Sequence, residues 1–174
     1  MTKCIAIALV VYVFAAYASA QQPDTANAKR VEMKKVEKLV GRWTGSGWIQ
    51  QGPKRETFTG SENVQMKLDG LAILVEGNFS NPGGKAIHQT LAVLSCNEKL
   101  NGFNFATYLA NGITGNQEFK VVGDHYEWGF QIPNVGTVRY SIKADNDVWS
   151  ETGEFSKDGK TWFKNFEMTL NRQK

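Results

Sequence analysis

An all-β fold is what the sequence predicts: an up-and-down antiparallel β-barrel of about ten strands, with one N-terminal helix packed on or capping it. Three observations predict it. From Gly41 onward apolar and polar residues alternate with a period of two, as half-buried strands do. The alternating runs are separated by dipeptides such as Asp69-Gly70, Asn101-Gly102, Asn111-Gly112 and Asp158-Gly159, which admit the positive φ values of tight hairpins. Composition agrees: 17 Gly, 4 Pro and 11% aromatic residues suit many short strands with large rings filling or lining an interior.

The elements follow in chain order. Met1 to Ala20 carries Lys3, an apolar stretch from Ile5 to Ala16 and then Ala18-Ser19-Ala20, the n-region, h-region and small-x-small pattern of a secretory signal peptide. Residues 1–20 are therefore expected to be removed after Ala20, which makes the mature chain secreted or periplasmic. The apolar stretch is shorter than the roughly 20 residues of a spanning helix, so no stable membrane insertion is expected after removal. Residues 21–40 form a polar linker and an amphipathic helix over Thr25–Val40. Ala26, Met33, Val36 and Val40 fall on one face of it, and Gly41 stops it.

Residues 41–174 make the barrel domain, with strands running from Gly41–Gln51 through Thr161–Asn171. The clearest are Phe103 to Ala110, Tyr126 to Ile132 and Val138 to Lys143, each alternating apolar with polar or small residues. Short links between consecutive strands make a meander. Closure into a barrel removes the two exposed edges that an open meander would leave.

Charge and cysteine content narrow the functional classes. The chain carries 20 Lys+Arg against 17 Asp+Glu, and the basic residues are interleaved with acidic ones. No concentrated basic face for nucleic acid results; even Lys29 to Lys38 is interrupted by Glu32 and Glu37 and is expected to be a solvated helix side. Cys4 leaves with the leader. Cys96 then stands alone without a basic neighbour to lower its pKa, and is expected to be an inert strand residue.

The opening Gly41-Arg42-Trp43-Thr44-Gly45-Ser46-Gly47 and the closing Asp158-Gly159-Lys160-Thr161-Trp162 with Arg172 resemble the calycin superfamily, which includes lipocalins and fatty-acid-binding proteins. With the leader, they look most like a family of secreted bacterial lipocalin-like β-barrel proteins. The resemblance covers Leu39 to Arg172. It implies that Trp43 plugs one end of the barrel and that Arg172 packs over it, where a guanidinium above an indole gains about 0.5–2 kcal/mol. More distantly, the Gly-x-Trp-x-Gly-x-Gly opening is similar to the nitrobindins, barrels that bind haem through a histidine near the C-terminal end. Here no histidine follows His125, and Phe166 and Met168 occupy the last strand. That departure removes the ligand on which haem binding would rest, and no cofactor is expected.

If Trp43 faces inward, alternation turns Gly45, Gly47 and Ile49 inward as well. Two side-chain-free positions then either leave room for a ligand or let the first strand bend sharply. On the same basis Tyr126, Trp128, Phe130, Tyr140, Phe166 and Met168 form an aromatic-rich lining, with His88 as a polar handle. His125 and Glu127 share the opposite face and are expected outside. Candidate acids and bases are Glu76, Glu118, Glu151, Glu167, Tyr108 and Tyr140. None sits in a catalytic motif, and no metal-ligand spacing occurs. The functional expectation is an exported barrel that binds a small apolar or amphipathic molecule inside without catalysis. The alternatives are a hydrolase- or isomerase-type enzyme using an interior carboxylate or His88, and an envelope interaction module with a filled core.

Overall fold

The computed structural model describes residues 22–174, with the side chains of 22–24 and of Gln51 left out of the description. The expected leader, Met1–Ala20, lies outside the described residues. Among the described residues no helix is long and apolar enough to cross a membrane.

Helix α1 spans Gln22–Met33 and continues as a 3₁₀ segment over Lys34–Leu39. The expected Thr25–Val40 helix is thus present, but its second half is wound more tightly. That changes the buried face. A 3₁₀ helix has three residues per turn, so Met33, Val36 and Leu39 eclipse one another and all three are buried. Val40 was expected on that face; it is instead in extended conformation and leads into the first strand.

Ten strands follow: β1 Gly41–Gln51, β2 Lys54–Lys67, β3 Ala72–Ser80, β4 Ala86–Cys96, β5 Phe103–Leu109, β6 Thr114–Val122, β7 His125–Ile132, β8 Gly136–Asp145, β9 Val148–Ser156 and β10 Phe163–Arg172. Each pairs antiparallel with the next, and β1 pairs with β10 to close the barrel. The Asn146-Asp147 turn between β8 and β9 holds both residues at positive φ, as a two-residue hairpin requires.

The register fixes which residues face inward. Trp43 stands opposite Arg172 and Glu62, Gly45 opposite Leu170 and Gly60, and Gly47 opposite Met168 and Phe58. Carried through β9, β8 and β7, the same register turns Trp149, Glu151, Ile142, Tyr140, Tyr126 and Trp128 inward. Ten strands enclose a wider interior than the eight that side chains just fill.

One end of that interior is sealed. Met33, Val36 and Leu39 pack with Trp43, Ile73, Leu94, Phe103, Phe119, Tyr126, Trp149 and Leu170 in one buried cluster. The Trp43 indole donates to the Leu39 carbonyl at 2.9 Å, and Tyr126 Oη donates to the Lys35 carbonyl at 3.2 Å. Arg172 lies with its guanidinium 4.0 Å above the Trp43 ring. It donates to the Val40 carbonyl, to the Lys38 carbonyl at 3.0 Å and to Asp147 at 2.8 Å. Gly41 beside it has φ +146°, and a Cβ there would overlap the guanidinium. The helix therefore caps this mouth, tied down by Arg30 to Asp69 and Lys29 to Glu98 on two of its loops.

Candidate functional site

The other half of the barrel interior is lined by aromatic rings that are not sealed. Trp128 and Tyr140, neighbours across β7 and β8, stack with centroids 4.3 Å apart and planes 12° from parallel. Phe166 meets Tyr140 edge-on at 5.6 Å and stacks on Phe58 at 5.8 Å, and Phe58 meets Phe79 at 5.3 Å. Phe105 and Phe130 flank Trp128 at 5.1 and 6.1 Å. The rings form a continuous belt. Phe58 and Phe79 are buried within it, whereas Phe105, Trp128, Phe130, Tyr140 and Phe166 remain half-buried. Aromatic contacts of this kind contribute about 0.5–1.5 kcal/mol each beyond burial, so the belt is stiff as well as apolar.

A break in the wall adds to this opening. β6 and β7 pair only from Phe119–Val122 to His125–Trp128. Beyond that, the first half of β6 pairs with β5 alone and the second half of β7 with β8 alone. A groove of about 860 Å³ lies at the notch, lined mostly by outer-face residues such as Glu118, Lys120, Arg139, Ser141 and Glu154 and reaching Trp128, Phe130 and Tyr140.

Set into the interior are two acids. Glu151 is buried, and its Oε2 accepts from the Trp149 indole at 3.3 Å. Burial pushes its carboxyl up to about 7, while the indoles of Trp149 and Trp128 favour the charged form and hold it back. Glu62 is pushed up to about 8, first by burial and then by the charge of Glu151. Glu62 is half-buried as a residue, but its Oε2 is enclosed with no hydrogen-bond partner. The Tyr140 phenol is driven above its ordinary value by burial and by Glu151. Chemically, the site offers aromatic faces, two buried acids that hold their protons more tightly than an ordinary carboxyl, and a mouth.

The residues singled out from sequence are distributed as follows. Trp128, Phe130, Tyr140 and Phe166 come together in the open half. Tyr126 and Met168 face inward but belong to the sealed cluster. Gly45 and Gly47 face inward, and the two readings of them separate: a Cβ at either would overlap a β10 carbonyl oxygen, of Thr169 or Glu167. The β10 backbone approaches closely at both positions, so a side chain at either would meet it. His88 sits exposed at the open rim, hydrogen-bonded to Thr90, with its ring 5.9 Å from Phe79; partial burial of the ring lowers its pKa. His125 is on the outer face, 3.0 Å from Glu127.

Of the candidate acids and bases, Glu76 bonds Asn63, Glu118 pairs with Lys120 and Glu167 pairs with Lys164, all on the outer face. Tyr108 is exposed as well. Glu151 and Tyr140 alone among them face inward. Cys96 is buried at the capped end, and burial raises its thiol pKa. Among the described residues no three His, Cys, Asp or Glu side chains converge as metal ligands would.

Glu62 was missed from sequence, although a signal existed. Phe58, Gly60, Glu62, Val64 and Met66 alternate along β2, and the two apolar residues after Glu62 mark its face as the inward one. What hid it was the polar stretch Ser61-Glu62-Asn63, in which neither parity looks apolar.

Comparison with known proteins supports the architecture. No protein-family model matches the sequence, and no curated protein matches it. Among solved structures, the chain is similar to Rv2717c from M. tuberculosis at 17% identity and a TM-score of 0.64, over 82% of this chain and 98% of that one. It is also similar to the S-type phycobiliprotein lyase CPES from Guillardia theta at 12% identity and a TM-score of 0.58, over 84% and 97%. At these identities the likeness shows the fold alone. The chain is a closed ten-stranded antiparallel barrel, and it is that fold which the two solved structures resemble.

Proposed function

We propose that this protein is exported by its Met1–Ala20 leader and binds a small amphipathic molecule in the open half of the barrel, without catalysing a reaction. The observation that carries the reading is the half-buried belt of Trp128, Phe130, Tyr140, Phe166 and Phe105. In a filled barrel of this width those rings would be covered as completely as Trp43 and Phe119 are at the capped end. Large apolar rings left uncovered at a mouth stand ready to bury a ligand, at about 25 cal/mol per Å² of apolar area before the costs of association. Support of a weaker kind comes from the likeness to a barrel named as a lyase of a phycobiliprotein and from the resemblance to secreted lipocalin-like proteins.

Intrinsic tryptophan fluorescence tests this directly, because Trp128 lies in the proposed site while Trp43 and Trp149 are sealed. Titration of the mature chain with aliphatic amphiphiles, retinoids and haem should shift the emission for at least one of them, and Trp128→Phe should remove most of that shift. A panel with no change overturns the binding reading. Mass spectra of the incubated ligands should show them unaltered; a product would overturn its non-catalytic part.

A further inference from the structure

Resting on the interior binding reading, the charge of that interior points to the kind of molecule it takes. Glu62 and Glu151 enter from β2 and β9, strands separated around the barrel by β1 and β10, so their proximity arises from closure and not from sequence. No cation meets them. Among the described residues, Arg172 has its guanidinium committed to Trp43, the Val40 and Lys38 carbonyls and Asp147 at the capped end, and Lys54, which shares the parity of Glu62 on β2, sits at the far end of that strand paired with Glu56.

The two acids are unequally provided for. Glu151 Oε2 has the Trp149 indole N–H. Glu62 Oε2 has nothing, although it is enclosed, and its other oxygen lies against Gly77, where a Cβ would come within 2.8 Å. Leaving a buried carboxylate oxygen without a donor is unfavourable, and a protein of this size normally satisfies such groups. A ligand that brings a donor and a positive charge would satisfy both needs at once. The stacked Trp128 and Tyr140 faces, next to Glu151, attract cations as well.

We propose that the barrel interior binds a protonated amine carrying an apolar body, with the ammonium group donating to Glu62 Oε2 and paired with Glu151, and the body lying against the Trp128–Tyr140 stack. An anionic amphiphile would bring its charge toward two acids. A neutral alcohol offers one donor but no charge. A hard metal ion needs six or more oxygen ligands, and only these two carboxylates converge here.

A matched series decides it: dodecylamine, dodecanol, dodecanoate and dodecyltrimethylammonium, each titrated below its micelle concentration into the mature chain at pH 7 and followed by tryptophan emission. The amine should bind about tenfold or more tighter than the alcohol and the carboxylate. The quaternary ion, which has charge but no N–H, should fall between them. Glu62→Gln should weaken the amine about tenfold and leave the alcohol within about twofold, with Glu151→Gln acting in the same direction. If either variant fails to fold, as judged by far-UV circular dichroism, the ligand series on the unaltered chain still decides. Dodecanoate binding as tightly as dodecylamine, or Glu62→Gln weakening all four alike, overturns the amine assignment while leaving interior binding intact. Silence from all four, and also from retinoids and haem, overturns interior binding itself.

Discussion

The two ends of this barrel are built from the same strands and yet differ in kind. At the capped end Trp43, Phe119, Leu170 and Ile73 are sealed beneath Met33, Val36 and Leu39. Toward the open end Trp128, Phe130, Tyr140 and Phe166 have lateral neighbours as close as 4.3–6.1 Å but no lid. Strand alternation made both sets inward-facing. What separates a core from a site is the presence of something to cover the mouth, which here is a helix and one arginine.

The sharpest way to break the comparison is to truncate one indole at each end. Trp43→Ala should cost about 3–5 kcal/mol in urea unfolding, because a fully packed ring and its hydrogen bond are lost from a region that cannot collapse. Trp128→Ala should cost less than half as much, since solvent already reaches that ring. Equal costs would show that the two ends are packed alike.

Next in size is the clamp over the plug. Arg172→Met keeps an apolar stem but removes the donors to Lys38, Val40 and Asp147, with an expected loss of about 2–3 kcal/mol. Hydrogen exchange at Val36 to Val40 should accelerate in the same variant. Unchanged exchange there would mean that the 3₁₀ segment holds without the arginine. Gly45→Ala should cost about 1–3 kcal/mol by forcing β10 away from β1 at the closing seam. A neutral result would show that β10 yields easily and would reopen the space beside Gly45.

The two interior acids should reveal themselves through pH. Glu62 and Glu151 keep their protons up to about 8 and about 7 when folded, against an ordinary 4.5. Between pH 4.5 and 8 the unfolded chain has released those protons while the folded chain still holds them. Rising pH therefore favours unfolding across that window, and the loss is complete above pH 8. His88 works the other way: its lowered pKa means that the unfolded chain takes up a proton first as pH falls through 6.5. Comparing the parent with a Glu62→Gln/Glu151→Gln variant cancels the histidine. The variant's melting temperature should gain on the parent's from pH 5 to pH 8. Parallel curves would show that both acids ionise freely inside. The smallest effect belongs to the outer wall, where Leu91→Thr on β4 should stay within about 0.5 kcal/mol in the same urea assay.

Much of the fold was legible from sequence because the signals are local. The inward run of Tyr126, Trp128, Phe130 and Ile132 announces both a strand and its buried face, and Asn146-Asp147 announces the turn that follows β8. The helix was legible as an element but not in its winding. Met33, Val36 and Leu39 fall three apart and Met33, Val36 and Val40 fall three and then four apart, so only the shape of the mouth beneath selects the tighter form. Of the site, the aromatic residues could be named, yet not sorted into plug and lining. Tyr126 and Trp128 are two residues apart on one face, and one is tied to the Lys35 carbonyl while the other lines the opening.

The sequence by itself determined the strands, their turns and the inward face, since each depends on residues a few positions apart. Tertiary structure alone decided which mouth is closed, that the β10 backbone approaches Gly45 and Gly47, and that Glu62 and Glu151 both lie buried in one interior. Those outcomes depend on β1 pairing with β10, which leaves only two strands between β2 and β9 around the barrel. No local pattern encodes how near closure brings side chains from strands so far apart in sequence, and the proton affinity of a carboxylate depends on its neighbours and on the water they exclude.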